Sequence, residues 1–406
     1  MIHCSKERLD EKIATFSRFG DTGGGGVTRL CFTEADLQAR AEFCRRCKEL
    51  GMEIKTDDMG NIYSTFKGSE KLPAIAVGSH TDSVVKGGNY DGILGVLTGL
   101  EAVETIIREG IKTRHPLAVL VWTNEEGSRF RPAMMSSGVI AGKFDKDTML
   151  AVKDEEGITF REALEASGYM GNEANRFSAN DYRAFLELHV EQGPVLESEK
   201  KDIGVVEGVL GMVNYEIKTR GQANHAGTTP MPMRKDALYA MAEIILYLHR
   251  ELDKLDPSLV YTTGEFSGAP NVHTVIPDNV RITLDSRHQD PEVIRQVVKV
   301  IESIPAEVHG CPVTYREQWS RNTVDFKPEM VKLMEESVRS LGYSYKRMYS
   351  GAGHDAQFIA DMVPSTMIFV PSETGYSHCE NEHTPHEQCW KGANVLLQAI
   401  LTLDKQ

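Results

Sequence analysis

Two hydrophobic rhythms run along the chain. "PAIAVGSH" (73–80) and "HPLAVLVW" (115–122) are short, nearly continuous apolar runs, the pattern of strands buried on both faces. Between them "DGILGVLTGLEAVETIIREG" (91–110) is long, rich in small residues and helical in period. "FLELHVEQGPVLE" (185–197) and "PSTMIFVPS" (364–372) read as further strands. "EADLQARAEFCRRCKELG" (34–51) reads as an amphipathic helix with Thr33 as its N-cap and Gly51 closing it. Buried strands alternating with helices predict an α/β fold, a mainly parallel sheet with helices on both faces.

After about residue 211 the rhythm changes. "MVNYEIKTRG" (212–221) and "NVRITLDSRH" (279–288) alternate like half-exposed strands. "RKDALYAMAEIILYLHREL" (234–252) and "PEVIRQVVKVIESI" (291–304) are amphipathic helices. This pattern predicts an inserted α+β domain over 211–323, dividing a catalytic domain into 1–210 and 324–406. The charged, then glycine-rich "EKKDIGVVEGVLG" (199–211) reads as the domain edge, and hinges are expected near 205–211 and 320–325. The "GGGG" run at 23–26 lacks the strand before and helix after that a phosphate loop needs, and reads as a mobile turn.

A formal net charge of -14 disfavours a nucleic-acid backbone or an anionic membrane as partner. A local arginine can still hold a small anion. The N-terminal residues carry no apolar signal-peptide core, and no stretch reaches the length of a membrane span. Seven scattered cysteines fit a reducing cytoplasm. Cys44 and Cys47 have C-x-x-C spacing, but they sit inside the predicted 34–50 helix and no redox role is expected.

The chemistry gathers where apolar strands stop. One ends in His80, followed by Asp82; the next runs through "VWTNEEGSRF" into Glu125 and Glu126; a third carries His189. Ligands of open α/β sheets bind beyond the carboxyl ends of the strands. Mixed imidazole and carboxylate, without a cysteine cluster, is the donor set of open catalytic and two-metal sites. Any one of these residues is unremarkable alone; their joint position is not. Adjacent glutamates would raise each other's pKa in a cleft. A metal on one, with the other left free as a base, removes that conflict.

The chain resembles the amidase/hydantoinase/carbamoylase branch of the M20 metallopeptidase family. The resemblance rests on "GSHTDSVVKGGNYDGILGV", "TNEEGSRF", "ELHVEQGPVLE", "GQANHAGTTPMPMRKDA", "LDSRH", "SGAGHDA" and "GYSHCENEHT". It implies two divalent ions per subunit, zinc first, with manganese, cobalt or nickel as alternatives. The implied ligands are His80, Asp91 as the bridge, Glu126, His189 and His378, the last preferred to His383. Asp82 is implied as the carboxylate that orients His80, and Glu125 as the general base. The inserted domain is implied to be a lid and dimerisation unit. Its His225 would support the oxyanion from the second subunit, and Arg287 would grip a substrate carboxylate. Gln192, Asn271 and Thr274 are further substrate-binding candidates. Many relatives have asparagine where Thr274 stands, and Asn-Pro where Cys379-Glu380 follows His378. Both departures bear on the substrate, not on the reaction class.

The resemblance therefore implies a homodimeric hydrolase of linear amides, and the cysteine usage sets the expectation of a cytoplasmic one. It would cleave an N-carbamoyl-L-amino acid to amino acid, carbon dioxide and ammonia. Allantoate or ureidoglycolate is the alternative substrate, with N-acyl amino acids or dipeptides behind them.

Overall fold

A computed structural model describes residues 2–406. In chain order the strands are β1 (Glu53–Thr56), β2 (Ile62–Phe66), β3 (Ala74–His80), β4 (Leu117–Trp122), β5 (Tyr182–Val190), β6 (Ile203–Val209), β7 (Gly211–Arg220), β8 (Val260–Ala269), β9 (Asn279–His288), β10 (Glu307–Val308), β11 (Cys311–Arg321), β12 (Val324–Asp325), β13 (Tyr345–Ser350) and β14 (Ser365–Val370). They fold into two compact units. One is the chain up to Gly208 together with Asp325–Gln406; the other is Val209–Val324.

The first unit is built on a sheet of order β1-β2-β4-β3-β5-β14-β6-β12, with β13 beside β6. Its centre, β4-β3-β5-β14, is parallel, as the uninterrupted apolar runs require. The flanking β2 and β6 pair antiparallel with β4 and β14. Every residue of β3, β4 and β14 is buried. On one face, the Ile93–Arg108 helix brings Gly99 against Val77, and the His386–Lys405 helix brings Gly392 against Leu188 and Val370. Glu187 alternates with Leu188 onto the other face. There it accepts the backbone N–H of Ala356 at 3.0 Å, at the start of the Asp355–Ile359 helix.

Three stretches carry more structure than their sequence pattern shows. The glycine-rich stretch at 203–209 is a strand, β6, because Val205, Val206 and Val209 are buried and Val205 pairs with Ile368 of β14. Its glycines dilute the hydrophobic signal without breaking the pairing. Thr33 precedes the Glu34–Glu49 helix but makes no side-chain cap; its hydroxyl donates to Leu30 O instead. The "GGGG" run is the turn between Asp21 and Val27, which bridge across it, and Val27 and Gly87 exchange backbone hydrogen bonds of 2.9 and 2.8 Å.

The second unit is an antiparallel sheet of order β10-β11-β7-β9-β8. The Ala237–Leu252 and Pro291–Glu302 helices complete it. Its core joins Val213, Tyr215 and Ile217 of β7 to Ile282 and Leu284 of β9, and to Met241, Ile244, Val297 and Ile301 of the helices. The period-two and helical patterns of the sequence meet in that cluster. Strand β8 lies at the sheet edge with Val260 and Phe266 exposed.

Candidate metal centre

The carboxyl ends of β3, β4 and β5 carry the site of the first unit. Nδ1 of His80 donates to the main-chain oxygen of Asp82 at 2.9 Å, and Nδ1 of His189 to that of Val190 at 3.0 Å. A carbonyl oxygen only accepts, so each ring keeps a proton on Nδ1 and, when neutral, turns the Nε2 lone pair inward. Both Nε2 atoms face Oδ1 of Asp91, at 3.7 Å from His80 and 3.2 Å from His189. Oδ2 of Asp91 lies 3.4 Å from Nε2 of His378, which lies 3.4 Å from Oε2 of Glu126. Two donor sets therefore share Asp91: His80, Asp91 and His189, all buried, and Asp91, Glu126 and His378 on the open side. His383 lies apart from both sets, its Nδ1 at 2.8 Å from Glu373.

Glu125 stands beside the first set, with Oε2 3.6 Å from Nε2 of His80. The backbone N–H groups of Glu125 and Glu126 donate to Oδ1 and Oδ2 of Asp82, each at 3.2 Å. This corrects the expectation for Asp82. Its carboxylate is occupied by the end of β4 and lies 3.8 Å from His80 Nδ1; its main-chain carbonyl orients that ring.

Electrostatics mark the same atoms. Burial, then Asp355 and Glu126, raise Glu125 well above the usual carboxylate range. Burial, then Asp91 and Asp82, do the same to Glu126. Asp82 is pushed up to about 7 by burial and by Asp36. His80 is pulled down to about 4 by burial, against the pull of Asp91. At His189 burial acts in the same sense, but the Asp91 charge outweighs it and holds the ring at about 9. Asp91 in turn is held well below its ordinary value, since His189 overcomes the effect of burial.

Local backbone geometry aims these groups. Asn124, Gln192 and His378 adopt left-handed φ values of 57°, 58° and 56°. Non-glycine residues in that region cost about 1 kcal/mol or more and cluster at functional sites. Gln192 donates from Nε2 to Oδ2 of Asp91 at 2.8 Å. Gly92, at φ 65°, admits no side chain: a Cβ there would lie 2.1 Å from the His80 ring.

A supporting layer escaped the sequence reading. Buried Arg29 bonds through Nε to Thr81 O at 2.5 Å. Asp36 accepts Thr81 Oγ1, and Arg40 reaches both Asp36 and Thr123 Oγ1. These charges fix the ends of β3 and β4. Glu382, which accepts the backbone N–H groups of Tyr90 and Asp91, belongs to the same layer. In sequence Asp36 and Arg40 look like the polar face of a helix, and nothing local separates them from it.

His225, Asn271, Thr274 and Arg287 all lie in the second unit. Residues 224–226 pair with 274–276, through Ala226 N to Thr274 O at 2.8 Å and Ile276 N to Asn224 O at 2.9 Å. Nδ1 of exposed His225 accepts the Gly227 N–H at 3.0 Å, so the neutral ring carries its proton on Nε2 and presents a donor outward. Arg287 Nε donates to Asp285 at 2.8 Å, and Asn271 is left-handed at φ 57°.

The first unit's residues fit a pair of divalent ions. Acceptor lone pairs of His80 and His189 face a carboxylate oxygen, an arrangement that calls for a proton or a cation between them. Oε1 of Glu126 is buried without a hydrogen-bond partner. Imidazole and carboxylate without thiolate suit zinc and its neighbours.

The profile of peptidase family M20/M25/M40 matches residues 76–402. The chain belongs to that family. Members typically bind divalent metal ions, and the two donor sets sharing Asp91 are the groups here that can do so. The N-carbamoyl-L-amino-acid amidohydrolase of Rhizobium meliloti is 38% identical over 402 residues, covering 97% of this chain and 95% of its own. The allantoate amidohydrolase of Bacillus subtilis (strain 168) is 33% identical over 403 residues, 98% of each chain. A crystallised amidase of the hydantoinase/carbamoylase family from Burkholderia multivorans superposes with a TM-score of 0.94 at 39% identity, over 100% of this chain and 99% of its own. This M20 chain is thus an amidohydrolase, a hydrolase of C–N bonds. No helix among its described residues is long and apolar enough to cross a membrane.

Proposed function

We propose that the chain hydrolyses the ureido C–N bond of an N-carbamoyl-L-amino acid, releasing the amino acid, carbon dioxide and ammonia. The observation that carries the reading is the pair of donor sets sharing Asp91, with Glu125 beside them at 3.6 Å from His80. His80 and His189 would hold one ion, Glu126 and His378 the other, and Asp91 both. Zinc leads, with manganese, cobalt and nickel as alternatives. The ions, when bound, make water acidic and polarise the carbonyl.

The protein's own groups do the rest. Glu125, kept basic by burial, takes the proton of the attacking water and returns it to the leaving nitrogen. His225 offers an Nε2–H donor to the oxyanion, supplied by a second copy of the chain. Arg287 pairs with the substrate carboxylate, bidentately where the geometry allows. Gln192, Asn271 and Thr274 complete the contacts. Edge strand β8, with exposed Val260 and Phe266, and exposed Leu238, Tyr239 and Leu246 of the neighbouring helix support a homodimer through the second unit, residues 211–323 in this reading. A lid function for that unit, and a cytoplasmic location, belong to the same proposal.

Similarity to the Bacillus subtilis allantoate amidohydrolase supports a second substrate, allantoate, with the same chemistry. The test is turnover by metal-stripped protein reloaded with zinc, manganese, cobalt or nickel, following ammonia and amine release. The substrates are N-carbamoyl-L- and D-amino acids, N-carbamoyl-β-alanine, allantoate, ureidoglycolate and N-acetyl amino acids. Metal-dependent turnover of an N-carbamoyl-L-amino acid is expected. Turnover confined to allantoate or ureidoglycolate transfers the mechanism to that substrate, and turnover of none of them overturns the reading.

A further inference from the structure

Glu382 is a carboxylate buried to 3% exposure, far along the chain from the strands that carry the metal donors. Its Oε1 accepts the backbone N–H groups of Tyr90 at 3.0 Å and Asp91 at 2.9 Å. Its Oε2 accepts the hydroxyl of Ser377 at 2.8 Å. The same hydroxyl stands 2.9 Å from Oδ2 of Asp91. Burying a carboxylate is costly unless donors satisfy it. Here all three come from two segments: the turn that presents Asp91 and the turn that presents His378.

The packing is shaped around this group. A Cβ on Gly88 would lie 2.0 Å from Oε1 of Glu382, so residue 88 must lack a side chain for the carboxylate to reach the Tyr90–Asp91 backbone. On the other side the chain folds back so that Glu382 N donates to Cys379 O at 3.1 Å, closing a turn directly after His378. His378 is itself left-handed, a conformation that persists only where its surroundings fix it.

We infer that Glu382 is a positioning residue of the dinuclear centre, locking Asp91 and His378 at the separation one shared ion requires. It touches neither ion nor substrate; it acts through the Asp91 backbone and through Ser377. This rests on the metal reading above. Of the two donor sets, the one made by Asp91, Glu126 and His378 depends on it more, because two of its three members hang from the segments it joins. The set holding His80 and His189 depends on it only through Asp91.

The test uses full-length metal-free protein, wild type and the variants Glu382→Ala, Glu382→Gln and Ser377→Ala. Zinc affinity is measured by competition with a chromogenic chelator, and site geometry by the absorption spectrum of the cobalt-loaded form. Wild type is expected to take up two equivalents. Glu382→Ala is expected to weaken one equivalent by about 10–100-fold, the usual effect of losing a group that orients a ligand, and to alter the cobalt spectrum. Ser377→Ala should weaken the same equivalent. Glu382→Gln should recover most of the affinity, because its carbonyl accepts the same two N–H groups and its amide donates to Ser377. Wild-type affinity and spectrum in both alanine variants overturn the inference, even if their melting temperatures fall. Should Glu382→Ala fail to fold, Ser377→Ala and Glu382→Gln decide. Wild-type affinity in the first, or in the second no more than the alanine level set by Ser377→Ala, overturns the inference. A wild type that binds no ion pair overturns the metal reading, and this inference with it, a result distinct from variants that match a two-ion wild type.

Discussion

Nε2 of His189 stands 3.2 Å from Oδ1 of Asp91, with the ring fixed by its Nδ1 hydrogen bond to Val190 O. Without a cation the Asp91 charge holds His189 protonated up to about 9. A metal ligand must be neutral, so loading at neutral pH has to displace that proton. The sign follows: below about 9 protons compete with the ion, and apparent affinity rises with pH until that value. Calorimetric zinc titration in two buffers of different ionisation enthalpy should show proton release near neutral pH. Equal heats in both buffers would contradict the assignment.

Glu125→Gln should lower kcat by about 10²–10⁴-fold, the usual contribution of a general base. Glu125 lies outside both donor sets, so bound zinc should stay at the wild-type ratio. Full activity would remove Glu125 from the chemistry, and loss of metal would make it a ligand.

Gly92→Ala tests the packing of the site. The added methyl meets the His80 ring at 2.1 Å on a left-handed backbone. Ring and turn cannot both stay in place. Zinc affinity should drop at least tenfold, read by chelator competition, while a methyl at exposed Gly142, which meets nothing, leaves affinity unchanged.

Stability has a separate anchor. Lys12 Nζ lies 2.7 Å from Glu101 and 2.7 Å from Glu104, and Lys12 and Glu101 are almost wholly buried. Lys12→Met removes the cation that two buried acids share, leaving Glu104 to Arg108 at 2.6 Å. Breaking such a pair costs about 3–5 kcal/mol, moderated here because Arg8 still reaches Glu101 at 2.6 Å. Urea unfolding should show the loss as an earlier midpoint, with kcat of the folded enzyme unchanged.

The strand ends bearing His80, Glu125 and His189 were legible because an apolar run that stops at an ionisable residue is a local signal. The resemblance added Asp91 and His378, which no local pattern marks. Asp82 was read as an orienting carboxylate because sequence names the residue but not which of its oxygens does the work. The 199–211 stretch reads as a domain edge, and the boundary between the units falls inside it, after Gly208; that it also forms strand β6 is hidden because composition registers its glycines before its pairing. Glu382 and Tyr90, nearly three hundred residues apart, meet only through the fold, and such a contact leaves no periodicity to read. The same holds for Arg29 and Thr81.

The chain leaves the first sheet at β6 and returns to it at β12, and those two strands are neighbours, with Phe326 N bonded to Glu207 O at 2.9 Å. Neighbouring strands stand about 4.8 Å apart. Topologically, the 116 residues of Val209–Val324 occupy the place of a hairpin turn. The parent sheet would close just as well over a few residues. An excursion of this kind can be lengthened, exchanged or excised without rethreading the strands beneath it, leaving the parallel layer and the edge that carries both donor sets continuous in the chain that remains.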